Sequence, residues 1–372
     1  MGFSYIVYRG AHHTRFHHAL GAMFLMQKAV QTLKSKGVDI STKEEEGLYI
    51  AILLHDIGHG PFSHAMENSI VESVSHEHIS LLFMEALNSE FNNRLALAIK
   101  IFKDEYSRKF FHQLVSGQLD MDRLDYLKRD SFFTGVPEGT VNAQRLIAML
   151  NVKNDALVVD EKGIYSVENF LVARRLMYWQ VYLHKTGIVA EQLLVRVLKR
   201  AKQLTAQGVE LHASKNLQFF LKNNITLDSF SEEVLDTFSK LDDYDIVSAM
   251  KVWVDSDDFV LKNLSAMLLN RDLLKVKVKS KPYLDKKVKS KREKLMDKYQ
   301  LSEEEAAYFV FSGTLQNQAY SMEKETINLL LKNGKIIDVA KASDQLNLEA
   351  LSKSVVKYYM CYPKNNTDSY RD

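Results

Sequence analysis

The chain has 372 residues, is 46% hydrophobic and 26% charged, and carries a formal net charge of +2. That length holds one large core or a core plus a smaller domain, and so small a charge gives no argument for nucleic acid or a membrane surface as partner. The single cysteine, Cys361, excludes an intrachain disulfide and a cysteine-rich zinc site, and it suits a reducing, cytoplasmic location.

Four prolines and fifteen glycines punctuate the chain, which predicts long helices. Residues 16–36 read as a helix with Phe16, Leu20, Phe24, Ala29 and Leu33 near one face. A second helix over 43–57 has Glu44, Glu45 and Glu46 in its first turn, where the helix dipole favours acids. Gly58, Gly60 and Pro61 stop it. A third helix starts near His76, a fourth covers 91–104, and 107–130 reads as helix carrying Asp120-Met121-Asp122-Arg123-Leu124-Asp125-Tyr126. Residues 156–167 look like a small hairpin turning at Lys162-Gly163. A long helix is predicted over 168–206, and further helices over 207–270.

From 271 the pattern changes. Lys275 to Lys279 alternates like a strand, 286–292 is a basic run, and 308–311, 335–339 and 355–362 read as further strands. The expected fold class is mainly α, a helical body over 1–270 followed by a smaller α+β part over 271–372. No stretch of about eighteen apolar residues predicts a transmembrane helix. The first residues lack the basic region and cleavage site of a signal peptide.

Histidine is unevenly placed. Nine of twelve (His12, His13, His17, His18, His55, His59, His64, His76, His78) lie in the first eighty residues. Taken singly, His12, His13 and His17 read as surface or capping residues. His55-Asp56 reads differently. It ends an apolar run and is followed by Gly58-His59-Gly60-Pro61-Phe62-Ser63-His64. Imidazole beside carboxylate is awkward in a core and natural for a metal. With His17-His18 and the acidic segment 120–125 it offers a mixed nitrogen and oxygen set for a divalent or trivalent ion. Such an ion acidifies water into a nucleophile near neutral pH. His64 and Glu67 are three apart and share a helix face.

The stretches Arg15-Phe16-His17-His18-Ala19-Leu20-Gly21, His55 to His64, His76-Glu77 and Asp120 to Asp130 resemble the HD-domain superfamily of metal phosphohydrolases. The likeness is greatest to its deoxynucleoside triphosphate (dNTP) triphosphohydrolase, or dGTPase-like, branch. Arg174 through Tyr182-Leu183-His184-Lys185 also fits. The resemblance covers about the first half of the chain and implies an HD-domain helical bundle. It implies His18, His55, Asp56 and Asp122 as ligands of a metal ion (Mn, Fe, Mg, Zn, Ni or Co). Asp120 is the near alternative to Asp122, with capping or ion pairing on the same helix as its plainer role.

The same resemblance places His59 and His64 against phosphates. It makes His76, oriented by Glu67 where relatives carry Asp, the general acid or the partner of the nucleophile. A carboxylate behind an imidazole fixes its tautomer and favours the protonated form. Arg15, Arg123, Arg174 and Lys185 would neutralise phosphate oxygens. A structural, buried role is the alternative for Arg15. Tyr126 would pack on the sugar and Asp130 would accept from a 3′-hydroxyl. Tyr178 and Tyr182 are sugar or base contacts, or core aromatics at i,i+4.

The implied reaction is hydrolysis of a dNTP to deoxynucleoside and inorganic triphosphate. The alternatives are an HD phosphohydrolase acting on a nucleoside monophosphate or a guanosine polyphosphate, and a nucleotide-binding regulator without turnover. A nucleotide activator and a homo-oligomer, dimer or tetramer, are implied as partners. The apolar stripe Leu193, Leu194, Val197 and Leu198 would serve either that interface or the core. The basic run 286–292 has few interleaved aromatics and offers no stacking platform for nucleic acid. Relatives carry chain ahead of the position of Met1 that contributes to base recognition and to a regulatory site. Base selectivity and nucleotide-dependent assembly are therefore the properties expected to be affected here.

Overall fold

The computed structural model describes residues 2–67, 69–71, 74–321, 326–343, 348 and 352–364. A 3₁₀ turn (Gly2–Ile6) leads to α1 (Arg15–Ser35), α2 (Thr42–Leu54), α3 (His64–Glu67), α4 (His76–Glu90), α5 (Ala96–Phe102), α6 (Lys109–Ser116), α7 (Met121–Thr134) and α8 (Ala143–Met149). Strands β1 (Leu150–Lys153) and β2 (Ala156–Asp160) precede α9 (Ile164–Met177) and α10 (Lys185–Ala206). Then come α11 (Lys215–Lys222), α12 (Glu232–Ser239), α13 (Asp243–Trp253), α14 (Phe259–Leu269), β3 (Lys275–Lys279), α15 (Asp285–Tyr299), α16 (Glu303–Phe309) and β4 (Phe311–Asn317). The described chain closes with β5 (Asn328–Leu330), β6 (Ile336–Asp338), α17 (Val339–Ala342) and β7 (Val355–Tyr362). The fold is mainly α with an α+β C-terminal part, as the sequence predicts.

Two apolar cores organise it. One gathers α1, α2 and α5–α9 around Met26, Ile52, Leu124 and Phe170. The other gathers α10–α14 and the loop residues Phe62, Ile70 and Val71. The segment 271–372 contributes to both. Strands β3, β7 and β4 form an antiparallel sheet, with Lys275 opposite Tyr362 and Phe311 opposite Cys361, and Met360 and Cys361 are buried in the second core. Strand β5 instead pairs in parallel with β2, Val159 opposite Leu329, and Leu329 lies in the first core. His18, on α1, belongs to an element of the first core, whereas Phe62 belongs to the second. The histidine-rich residues therefore sit where the two cores meet.

Several elements differ from the sequence reading. On α1 the buried row is His18, Ala22, Leu25, Met26, Ala29, Val30 and Leu33. Phe16, Leu20 and Phe24 point outward at 68%, 39% and 52% exposure. Two apolar rows run along this helix, and the row that includes Gly21 faces α7. The predicted helix 107–130 is two helices, because Gly117 is extended and Asp120 caps a new start. The hairpin turns at Asn154-Asp155, both with positive φ (54° and 60°), the backbone of a type I′ turn. Lys162-Gly163 belongs instead to the 3₁₀ turn leading into α9.

The predicted helix 168–206 breaks. Tyr178–Tyr182 forms a π turn, and His184 then caps α10 by accepting from the Thr186 amide at 3.3 Å. Of 308–311, Tyr308 and Phe309 end α16 and only Phe311 starts a strand. Leu193, Leu194, Val197 and Leu198 are all fully buried in the chain's own second core, so that stripe is core. Among the described residues no helix is long and apolar enough to cross a membrane.

Candidate metal centre

Helix α1 begins with a capping box. The Thr14 hydroxyl accepts from the His17 amide and the His17 ring accepts from the Thr14 amide. His17 is thus the capping residue the sequence suggests. One residue on, His18 turns inward. Its Nε2 lies 3.1 Å from Asp122 Oδ1 and 3.9 Å from Asp56 Oδ2. His55 and Asp56 follow the end of α2, and His55 Nδ1 donates to the Ile52 carbonyl at 2.7 Å. That bond fixes the tautomer and leaves Nε2 as a bare electron pair. Nε2 is buried without a hydrogen-bond partner among the described residues, 3.4 Å from Asp122 Oδ1 and 3.6 Å from Asp56 Oδ1.

A lone pair facing a carboxylate across that gap requires a cation, either a proton or a metal. Two ligands at right angles on an ion with bonds of about 2.1 Å stand about 3 Å apart. The separations of 3.1 to 3.9 Å between the two imidazoles and the two carboxylates are close to those of neighbouring ligands on one ion. His18, His55, Asp56 and Asp122 could therefore hold a metal, and His18, His55 and Asp56 alone already place donor atoms within 4.8 Å of one another.

Electrostatics agree with geometry. Burial works against a charged His18, but Asp122 and Asp125 outweigh it and push its pKa up to about 10. Burial likewise opposes the charged form of His55, yet Asp122 and Asp56 raise it. Asp122 is half-buried; burial opposes its charge, but His18 and His55 hold it well below the usual carboxylate range. Asp120 takes the other role open to it. It caps α7, accepting from the Arg123 amide at 2.7 Å, and its carboxylate pairs with the Arg123 guanidinium. Burial raises its pKa to about 6.

Asp125 is a member of this cluster to which the sequence reading gave no role. Its Oδ2 accepts from His18 Nδ1 at 2.8 Å, and Arg129 grips both carboxylate oxygens at 2.8 Å. This is the outer partner that sets a ligating histidine's tautomer. The signal was available, since Asp125 stands three residues after Asp122 and shares its side of the helix. Gly21 permits the approach, because a Cβ there would overlap Asp125 and Arg129.

Beside the donors stands a second group. The His59 and His76 rings meet at a 32° tilt with centroids 3.8 Å apart, and His76 Nδ1 lies 2.9 Å from Glu67 Oε1. The longer side chain of Glu spans the distance. Asp56, His59 and His76 also place donor atoms within 4.8 Å of one another. The His64 side chain lies outside the described positions. Ser80 ties the groups together: its hydroxyl accepts from the Gly58 amide and donates to the His55 carbonyl, each at 2.9 Å. Arg15 donates to Asp56 at 2.7 Å and to the Ser63 hydroxyl at 2.7 Å. Phe62 and Ser63 both have positive φ, 52° and 58°, a strained conformation for such residues.

The proposed substrate residues cluster only in part. Tyr126 meets His18 and Tyr182 edge-on, and Tyr178 meets Tyr182 likewise. Burial keeps the phenols of Tyr126 and Tyr182 neutral, with pKa values well above the usual range. Asp130 is already engaged. Its carboxylate accepts from the Tyr182 hydroxyl at 2.7 Å and lies 2.7 Å from His13 Nε2. His13 is therefore no surface residue: its side chain is 4% exposed and stacks on Phe133. Arg123 is tied to Asp120, whereas Nε and Nη1 of Arg174 are buried without hydrogen-bond partners among the described residues. Lys185 is exposed at the first turn of α10.

Residues 15–130 match the HD domain and residues 141–219 match the HD associated region. The crystal structure of a phosphohydrolase from Bacteroides thetaiotaomicron superposes with a TM-score of 0.94 and 52% identity, covering 98% of this chain and 91% of that one. The chain belongs to the HD-domain phosphohydrolase family. The matched HD domain runs from Arg15 to Asp130 and so contains all four donor residues and the His76–Glu67 pair. Protein YwfO of Bacillus subtilis is 29% identical over 98% of this chain and 84% of its own length. A Dictyostelium discoideum protein named deoxynucleoside triphosphate triphosphohydrolase SAMHD1 homolog is 28% identical over 58% of this HD-domain chain and 45% of its own.

Proposed function

We propose that the chain is a metal-dependent dNTP triphosphohydrolase. The observation that carries this reading is that Asp56 belongs to both groups, the His18–His55–Asp56 donors and the Asp56–His59–His76 cluster. Metal chemistry and proton transfer would then act on one phosphorus. A bound metal would supply an acidified water and neutralise phosphate charge.

The protein's own groups do the rest. Glu67 holds Nδ1 of His76, and Nε2, 3.4 Å from Glu77 Oε1, is the nitrogen that would deliver a proton. In the proposed reaction water adds to the α-phosphorus, the bond from phosphorus to O5′ breaks, and O5′ takes the His76 proton. The proton lost by water restores His76. Arg174, with two buried nitrogens unpaired among the described residues, would meet phosphate oxygens, since guanidinium matches them in fork geometry. Tyr126 and Tyr182 form an edge-to-face wall for the sugar. Asp130, held by His13 and Tyr182, retains acceptor capacity for a hydroxyl, because each carboxylate oxygen accepts more than one bond. The dNTP triphosphohydrolase named among the relatives supports this substrate class.

Product identification tests the reading. Purified protein with Mn²⁺ and dGTP should release inorganic triphosphate and deoxyguanosine, with GTP turned over far more slowly. Release of orthophosphate, or equal rates on GTP, would overturn it in favour of another nucleotide.

A further inference from the structure

His13 lies in irregular chain ahead of α1, yet its ring is built into the structure. It stacks on Phe133 with centroids 4.5 Å apart, and its side chain and that of Asp130 are both buried. The backbone around it is equally fixed. Gly10 packs on the Phe133 carbonyl, which a Cβ would overlap. The Tyr8 hydroxyl donates to the Gln180 carbonyl at 2.5 Å. Residues 8–13 thus tie α7 to the π turn that carries Tyr182.

Nδ1 of His13 is buried without a hydrogen-bond partner among the described residues, and Nε2 lies 2.7 Å from Asp130 Oδ1. A carboxylate only accepts, so Nε2 donates. The Tyr182 hydroxyl donates to the other oxygen at 2.7 Å. Each oxygen keeps a second lone pair. The two donors come from separate elements, and together they stop the carboxylate from turning about its Cβ–Cγ bond. Asp122, Tyr126 and Asp130 stand four residues apart, in one row along α7. Each step advances about 6 Å along the axis, from a metal donor past the ring proposed for the sugar to this carboxylate. A nucleotide held by phosphorus at the Asp122 end lays its sugar along the row.

We propose that His13 is a positioning residue that sets sugar specificity: it aims Asp130 at the 3′-hydroxyl and so makes the site reject a nucleotide that lacks one. The inference rests on the nucleotide reading of this site and adds to it a residue outside both donor groups. A dideoxynucleotide leaves the aimed lone pairs unpaired, and sites built to pair a hydroxyl reject such analogues strongly. Without His13 the carboxylate turns about its bond to Tyr182 and gains little from the hydroxyl, so the discrimination is lost.

Rates on dGTP and 2′,3′-dideoxyGTP test this. Wild type should prefer dGTP at least about tenfold in kcat/KM, chiefly through KM. His13→Phe keeps the ring on Phe133 without a donor, and the amide of His13→Asn reaches only as far as Nδ1. Both should cut the preference to about threefold or less. His13→Gln, whose amide reaches as far as Nε2, should keep it. If His13→Phe proves unstable, the contrast between Asn and Gln decides. A merely structural role lowers both rates together and leaves the ratio at its wild-type value, which would overturn the proposal, as would a wild type without preference. Calorimetry with 2′-deoxyguanosine and 2′,3′-dideoxyguanosine reads the same discrimination without turnover. Release of orthophosphate would therefore sink the triphosphohydrolase reading and leave this test in force.

Discussion

Asp125 and His18 face each other across adjacent helices, carboxylate Oδ2 to ring Nδ1, at 2.8 Å. The contact decides which ring nitrogen is free to bind. Asp125→Asn keeps the shape but lets an amide N–H compete for that position. Metal affinity should fall by about 10- to 100-fold, the usual cost of losing an outer partner of a ligating histidine. Competitive chelator titration measures this, with circular dichroism confirming unchanged helicity. Affinity within twofold of wild type would remove Asp125 from the site.

This relationship marks what the sequence could and could not convey. His18, His55, Asp56 and Asp122 were legible as a candidate donor set through the resemblance their motifs carry, and the structure places these side chains within 3.1 to 3.9 Å of one another pairwise across the site. Asp120 and Asp122 were separable in principle, since the residue opening α7 caps it and the one two later turns away. His13 was not legible. It lies in irregular chain, where no period says which way a side chain points, and its partner Asp130 is 117 residues away. The outward face of α1 was misread because apolar residues occupy both sides of the helix, and pattern alone does not say which side meets α7. The break at His184 escaped notice because neither proline nor glycine marks it.

The pKa of His18, near 10, sets a pH dependence. Its folded value is raised above the unfolded value of about 6.5. Its contribution to metal-free stability is therefore complete below about pH 6.5 and lost as pH rises through about 10. Metal requires the unprotonated ring, so binding between those limits expels a proton. Asp122, held low, stays charged throughout and adds nothing to the slope. Metal affinity should rise by up to about tenfold per pH unit between 7 and 9. Calorimetry in buffers of different ionisation enthalpy should detect the released proton, and a flat affinity over that range would contradict it.

Gly58 packs against the first turn of α4. A Cβ there would overlap the His76 carbonyl and the Ser80 amide, both backbone. Gly58→Ala must push α4 away, and with it His76. We expect a loss of about 1–3 kcal/mol in chemical denaturation, the usual cost of overpacking, and a larger fall in kcat than in metal affinity. Wild-type stability would mean that the loop yields more easily than this packing implies.

His76→Ala should separate binding from chemistry. His76 is outside the four-donor group, so metal content should be unchanged. Turnover of dGTP should drop at least about 100-fold, as expected for a lost general acid. Glu67→Gln should fall less, since it removes the orienting charge and leaves the imidazole. Metal analysis beside single-turnover kinetics checks both. Normal turnover in His76→Ala would pass the role to another group.

The outward row of α1 bears on assembly. Phe16, Leu20 and Phe24 lie one helical turn apart and are exposed, and Phe132 on α7 is 79% exposed. The homo-oligomer implied by the resemblance would bury these rings, whereas the α10 stripe is already spent on the chain's own core. A two-fold contact uses the same patch on both copies, so changes on α1 count twice in a dimer. Phe16→Glu with Phe24→Glu should shift the species seen by light scattering to monomer, while the buried row Ala22, Met26 and Ala29 keeps the fold intact. An unchanged oligomer in that variant would place the interface elsewhere, and a monomeric wild type, with and without dGTP, would end the idea.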